Sequence, residues 1–313
     1  MAEKEQFKRL TVEHRLVEEL ASGKHLWWNK LVALSLKDRD INIQVRGHYL
    51  SVYCNMGSLL SICLKKKEVA CSIHYKYLIA SRRPEYVDAI PSGEDLAVKP
   101  TSCNLVTSIL DEKNFSRIKS NIARLAGEEK GIQSKLVEKD RKTLLDAEIA
   151  FTDSGTLTDP EEADAPGSGA TRIDLVNYDK NLNALVFIEL KQIFDSRLYS
   201  NSKNIKEVNG QIKKYKAFAK NHAEELIKTY NDVIEVKRVL GLLPKDSALR
   251  AAKIERVEPK PILAIAAYNQ EIINAMRGKV EKDLNTDNLA GLYFFGTDVD
   301  LNLKSDKNKE IFI

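Results

Sequence analysis

Apolar positions along the chain change their period several times, and each change marks an element. Residues 5–36 carry Leu10, Val12, Leu16, Val17 and Leu20 at helical spacing, with a stop at Gly23 and a second helical piece through Trp27, Trp28, Leu31, Val32 and Leu34. From residue 41 the period drops to two. Ile41, Ile43 and Val45 alternate with polar neighbours, and runs at 49–54, 59–64 and 69–78 follow, separated by Arg46-Gly47, Asn55-Met56-Gly57 and Lys65 to Glu68. This predicts a four-stranded antiparallel meander. Tyr49, Tyr53, Tyr75 and Tyr77 lie on it; a nucleic-acid stacking surface is one reading of them, and packing in a half-buried sheet is the favoured one. Residues 81–104, with Pro84, Pro91, Gly93 and Pro100, read as a linker. The domain boundary is set there, giving a helix-plus-meander domain over 1–100 and a second domain over 105–313.

The second domain begins with helical spacing over 105–146, broken near Gly127 or Gly131. It leads into 144–151, the first core strand or its approach. Residues 152–171 hold five acids, no Lys or Arg, two prolines and three glycines, which predicts a long loop. Two apolar runs within 172–191, joined by the turn-forming Asp179 to Asn183, predict a β-hairpin. After an irregular stretch to 203, helical spacing runs to Leu240 with a break near Asn221 or His222. Pro261 to Tyr268 and Gly291 to Gly296 are apolar runs of strand length, with a helix-like 270–280 between them. Strand, hairpin, helix, strand is an α/β order.

The hairpin carries the candidate chemistry. Strand side chains alternate faces, so Glu189 and Lys191 share one side with Phe187, while Ile188 and Leu190 face the other way. Asp174, on the partner strand, is brought toward Glu189 by hairpin pairing. Two carboxylates about 4 Å apart repel by roughly 4 kcal/mol at an effective dielectric near 20, and a divalent metal removes that repulsion. Hard oxygen ligands favour Mg²⁺ or Mn²⁺, and Lys191 is placed to orient or deprotonate an attacking water and to offset charge on phosphorus. Glu-x-Lys alone is a weak signal, since it occurs four times, at 128/130, 189/191, 235/237 and 258/260. Only Glu189/Lys191 follows a strand-like apolar run with an Asp on a neighbouring strand.

At these residues the sequence resembles the PD-(D/E)XK nuclease superfamily, in which an Asp on one strand is followed by Glu-x-Lys on the next. The residue before the Asp is Ile173 rather than Pro. Gln211 and Tyr215, about 20 residues beyond the hairpin and one helical turn apart, look like the Gln-x-x-x-Tyr element of the RecB-like branch. The resemblance covers only 105–313. It implies a restriction-endonuclease-like α/β/α core with a mixed central sheet, preceded by the smaller α+β domain with the antiparallel meander. It also implies Mg²⁺-dependent hydrolysis of DNA phosphodiesters: Asp174, Glu189 and the backbone carbonyl of Leu190 hold the metal, and Gln211 and Tyr215 position the strand. Such folds often add a Glu before the Asp strand; Glu148 is the candidate and Glu138 its competitor. A binding module that has lost hydrolysis, or an RNA-directed nuclease, are the alternatives.

Composition changes this picture little. Apolar content of 43% with 30% charged residues is that of a soluble protein, and no apolar run approaches the 18 or so residues that span a bilayer. No secretory signal is read at the start, so a cytoplasmic site, with no membrane partner, is expected. Cys54, Cys63, Cys71 and Cys103 lack C-x-x-C spacing and read as free thiols, and the five histidines are assigned no chemistry. Net charge is only +4, but 201–260 hold 14 Lys/Arg against 8 Asp/Glu, while 101–170 hold 9 against 13. Lys213 and Lys214, with the lysines at 203, 206, 216 and 220, would offer phosphate contacts to DNA beside the site, and a solvated helix face explains such a run equally well. The N-terminal domain is read as a binding module or as the interface of a homodimer.

Overall fold

The computed structural model describes residues 9–79, 86–98, 108–125, 128–151, 157–158, 171–199, 207–282 and 284–296. The chain forms two compact units, one of residues 8–138 and 232–250, the other of 1–7, 139–231 and 251–313. The expected domains were 1–100 and 105–313. The helices of 112–138 thus group with the N-terminal unit, which also takes in 232–250.

The first unit opens with α1 (Arg15–Ala21) and α2 (Leu26–Lys37). The His14 ring caps α1 by accepting from the Leu16 N–H, and Gly23, at φ +76°, supplies the left-handed residue that stops it. A six-stranded antiparallel sheet follows in sequence order: β1 (Ile41–Val45), β2 (Tyr49–Cys54), β3 (Gly57–Lys65), β4 (Glu68–His74), β5 (Tyr86–Ser92) and β6 (Asp95–Val98). The β2–β3 and β3–β4 turns use Asn55/Met56 and Lys66/Lys67, all at positive φ, as tight two-residue hairpins demand. The meander is therefore six strands rather than four. The strand expected through 78 ends at His74, and residues 75–79 form the short helix α3 (Tyr75–Ile79). Part of the expected linker is the β5–β6 hairpin. Pro91 is tolerated in β5 because pairing to β4 stops at Ala89, so its missing N–H costs no bond there. α4 (Glu112–Leu125) brings Ile122 so close to Gly57 that a β-carbon at Gly57 would lie 2.6 Å from it.

The four tyrosines of this unit, Tyr49, Tyr53, Tyr75 and Tyr77, are buried and serve packing. Cys54, Cys63 and Cys71 are free, and burial pushes the Cys54 thiol up to about 12, so it is inert near neutral pH. Cys103 lies outside the described residues.

The second unit holds a mixed sheet. Helix α5 (Glu128–Asp140) leads into β7 (Leu144–Phe151), followed by β8 (Leu157–Thr158), β9 (Thr171–Asp179), β10 (Ala184–Gln192), β11 (Arg256–Val257), β12 (Ile262–Ala267) and β13 (Gly291–Gly296). The spatial order is β13-β12-β10-β9-β7-β8, with β11 paired to β10. The β7–β9 and β9–β10 pairs are antiparallel; β10, β12 and β13 run parallel. The expected hairpin is β9–β10, and its turn is an Asx turn in which Asp179 accepts from the N–H groups of Asn181 and Leu182. Helices α6 (Glu207–Asn221) and α7 (Ala223–Val239) break where the sequence predicts. α8 (Gln270–Glu281) connects β12 to β13, capped by Asn269. Val208 and Ile212 of α6, and Ile273 and Val280 of α8, share one core with Leu263 and Ile265 of β12 and Leu292 and Phe294 of β13. Most of the acidic stretch 152–171 lies outside the described residues. Among the described residues no helix is long and apolar enough to cross a membrane.

Candidate active site where two strands part

The β9–β10 ladder runs from Asp179↔Ala184 to Leu175↔Ile188 and then stops. From there β10 pairs on its other side with β12, from Ile188↔Ile262 to Gln192↔Ala266, while β9 stays bonded to β7 as far as Thr171↔Phe151. The two strands diverge as the charged residues begin. Main-chain groups facing the opening need other partners, because an unpaired buried amide or carbonyl is costly. Side chains supply them. Asp174 Oδ2 accepts from the Leu190 N–H at 2.7 Å, and the Tyr215 hydroxyl bonds the Arg172 carbonyl.

Glu189 and Lys191 are on one side of β10, as period two requires, and both are buried, at 1% and 2% exposure. Lys191 Nζ donates to Glu189 Oε1 and to the Leu190 carbonyl, the latter at 3.0 Å. The Tyr215 hydroxyl also bonds Glu189 Oε2, and Gln211 Nε2 donates to that hydroxyl at 2.9 Å. α6 is held in place by Phe218, one turn beyond Tyr215, whose ring stacks on Phe151 of β7 at 3.9 Å between centroids. Gln211, Tyr215, Glu189 and Lys191 therefore form one connected chain of bonds, and Asp174 joins it through Leu190.

Burial pushes the Glu189 carboxyl above its ordinary value, although Lys191 and Tyr215 pull it down. Burial alone would lower the Lys191 ammonium; the charges of Glu189 and Asp174 overcome it and leave Lys191 raised. Burial and the same two acids hold the Tyr215 phenol well above its usual range, so it remains a donor. A buried carboxylate this costly is one that a cation stabilises.

The oxygens of Glu189 and of the Leu190 carbonyl already converge on one cation, the Lys191 ammonium. Asp174 is bonded to the same residue's N–H, and carboxylate and carbonyl oxygens are the hard donors that Mg²⁺ or Mn²⁺ would take. Among the described residues there is no group of three or more His, Cys, Asp or Glu arranged to hold a metal. Any ion here would rest on two acids and main chain.

Glu148 lies on β7, and the β7–β9 register sets it across from Asp174. Its φ is +52°, a left-handed conformation rare for a residue other than glycine, and its carboxylate is 3.9 Å from the Arg172 guanidinium. Glu138, its competitor, pairs with Arg39 at 3.9 Å within the first unit. Lys213 and Lys214 are exposed on α6, and Lys216 bonds Asn288 at 2.7 Å. The lysines at 203 and 206 lie outside the described residues. Two residues not singled out from the sequence belong to the neighbourhood. Asp195 and Arg197, just past β10, form a fork (Nε to Oδ1 2.9 Å, Nη2 to Oδ2 2.5 Å). The Arg197 charge acts on both Glu189 and Lys191. Arg197's bonds outweigh the burial of Asp195 and hold its carboxyl below the usual range. A basic residue shortly after a strand end was the available signal, and it is a weak one.

No family model, curated protein or solved structure matches this chain.

Proposed function

We propose that the chain is a metal-dependent nuclease that hydrolyses phosphodiester bonds in DNA, with its active site in the opening between β9 and β10. One observation carries the reading: Glu189-x-Lys191 and Gln211-x-x-x-Tyr215, separate stretches of the sequence, meet at the Glu189 carboxylate beside Asp174. The antiparallel β7-β9-β10 group continued by parallel β12 and β13, with α6 and α8 over one face, supports a restriction-endonuclease-like core.

In this reading Asp174, Glu189 and the Leu190 carbonyl would hold Mg²⁺, which would supply a Lewis acid for the phosphate and a more acidic bound water. Tyr215 and Gln211 fix the Glu189 carboxylate in one orientation. Lys191 would orient the attacking water and offset charge that builds on phosphorus. Arg197 and the exposed Lys213 and Lys214 meet neighbouring phosphates. Glu148, opposite Asp174, is the supplementary acid.

Incubating the protein with linear duplex, circular and single-stranded DNA, and with RNA, in Mg²⁺, Mn²⁺ or EDTA tests this. The expected result is cleavage of DNA that EDTA stops and that Asp174→Ala or Glu189→Ala abolishes while the melt remains cooperative. Cleavage of RNA alone would reassign the substrate. No cleavage of any substrate with either metal would overturn the enzyme reading in favour of a nucleic-acid-binding module.

A further inference from the structure

β10 and β12 are parallel neighbours that end together, so their C-terminal ends form one edge of the sheet. Ligands of open α/β sheets gather at such edges. The last bond between them runs from the Ile193 N–H to the Ala266 carbonyl at 2.7 Å. Ile193 and Ala267 then turn into the core, at 1% and 4% exposure. The residue that follows on each side is aromatic and faces solvent: Phe194 lies in the turn closed by the Asp195 N–H on the Gln192 carbonyl, and Tyr268 in the bend that precedes α8. Phe194 is 55% exposed and Tyr268 53%, and each follows directly on the end of one of these two neighbouring strands. Single exposed apolar residues are ordinary on a protein surface; two large exposed rings leaving the ends of neighbouring strands are less so.

Phe194 is three residues beyond Lys191, at most about 11 Å along an extended chain. Arg197, three residues further and 39% exposed, acts electrostatically on Glu189 and Lys191. The segment 194–197 thus stays next to the acids. It offers ring faces and a guanidinium, the two groups that bind a nucleic-acid strand through its bases and its phosphates.

We propose that Phe194 and Tyr268 form a base-stacking platform for unpaired nucleotides flanking the scissile phosphate, so that the substrate is single-stranded or frayed DNA. This rests on the nuclease reading of the neighbouring site. Bases inside a duplex have both faces covered by their neighbours, so the rings serve only a base that is unstacked. Stacking tolerates any sequence, because every base has a π-face.

Anisotropy titration of a labelled oligothymidylate and of a duplex of equal length, both in EDTA and over a series of salt concentrations, tests the platform. Phe194→Ala and Tyr268→Ala are each expected to weaken single-strand binding by about tenfold. Duplex affinity, the slope of log affinity against log salt, and the thermal melt are expected to stay unchanged. Phe194→Trp should retain affinity where Phe194→Leu loses it, which separates stacking from general apolar contact. Wild-type affinity in both alanine variants, or equal losses for single strand and duplex, would overturn the platform. Cleavage of duplex in Mg²⁺ by a protein that binds no single strand would overturn the platform and leave the nuclease reading standing. A wild type that binds and cleaves nothing would overturn both.

Discussion

Lys191 and Lys237 are both buried, at 2% and 4% exposure, and each stands two residues after a glutamate. Their hydrogen-bond partners differ in kind. On β10, residues two apart project to the same side, so Glu189 is carried into the interior with its lysine and the two bond. On α7, residues two apart are about 200° apart around the helix, so Glu235 stays outside. It is 45% exposed and bonds Arg238, while Lys237 turns inward and donates to the Gln44 side-chain oxygen at 3.1 Å. The same three-residue pattern produces a buried cation facing two acids in one unit and a buried cation facing an amide in the other. A short motif has chemical meaning only together with the period of the backbone that carries it.

Single-turnover cleavage breaks or sharpens that contrast most strongly. Lys191→Ala should slow the chemical step by roughly a hundredfold with little change in DNA affinity, the scale of a lost acid–base or electrostatic group. Lys237→Ala should leave the rate per folded molecule unchanged. If the two variants lose activity only in proportion to folded protein, Lys191 is a structural ion partner and the contrast is one of packing alone. Tyr215→Phe comes next. It removes the hydroxyl that lies between the Arg172 carbonyl, Glu189 and Gln211, so a denaturant melt should show a loss of about 2–3 kcal/mol. A change below about 0.5 kcal/mol would mean that water replaces the hydroxyl and that the opening is wetter than its burial indicates. Lys237→Met, which removes the bond to Gln44, should shift the same melt by about 1 kcal/mol, the scale of one hydrogen bond. Glu235→Ala, on the exposed side, should change stability by less than about 0.5 kcal/mol.

How far this was legible from the residues follows the range of the interaction involved. The β9–β10 hairpin was visible because its determinant is local: Asp179 folds the turn, and apolar runs flank it. β12 and β13 were visible as unbroken apolar runs, the signature of buried parallel strands. The pairing of Glu189 with Lys191 follows from period two. By contrast β5 and β6 were concealed by Pro91 and Gly93, residues that read as a linker but here occupy a strand position paired only to β6 and a left-handed hairpin turn, φ +59°. The end of β4 was concealed too, since Tyr75 to Ile79 have strand-like composition and coil only after the His74 ring captures the Lys76 N–H. Tyr215 could be tied to Glu189 only through the family resemblance, because nothing local links α6 to β10. Arg197 and the grouping of 232–250 with the first unit depend on distant contacts, which no periodicity records.

That grouping has a consequence for synthesis. The N-terminal unit draws on two stretches, 8–138 and 232–250, so the ribosome makes most of it long before the remainder exists. Gln44 and its partner Lys237 are 193 residues apart, which at 5–20 residues per second is a delay of about 10–40 s. Through that interval the nascent meander must persist without its last segment, and the intervening β7, β9 and β10 emerge and can pair first. A fragment ending at 138 reproduces that nascent state.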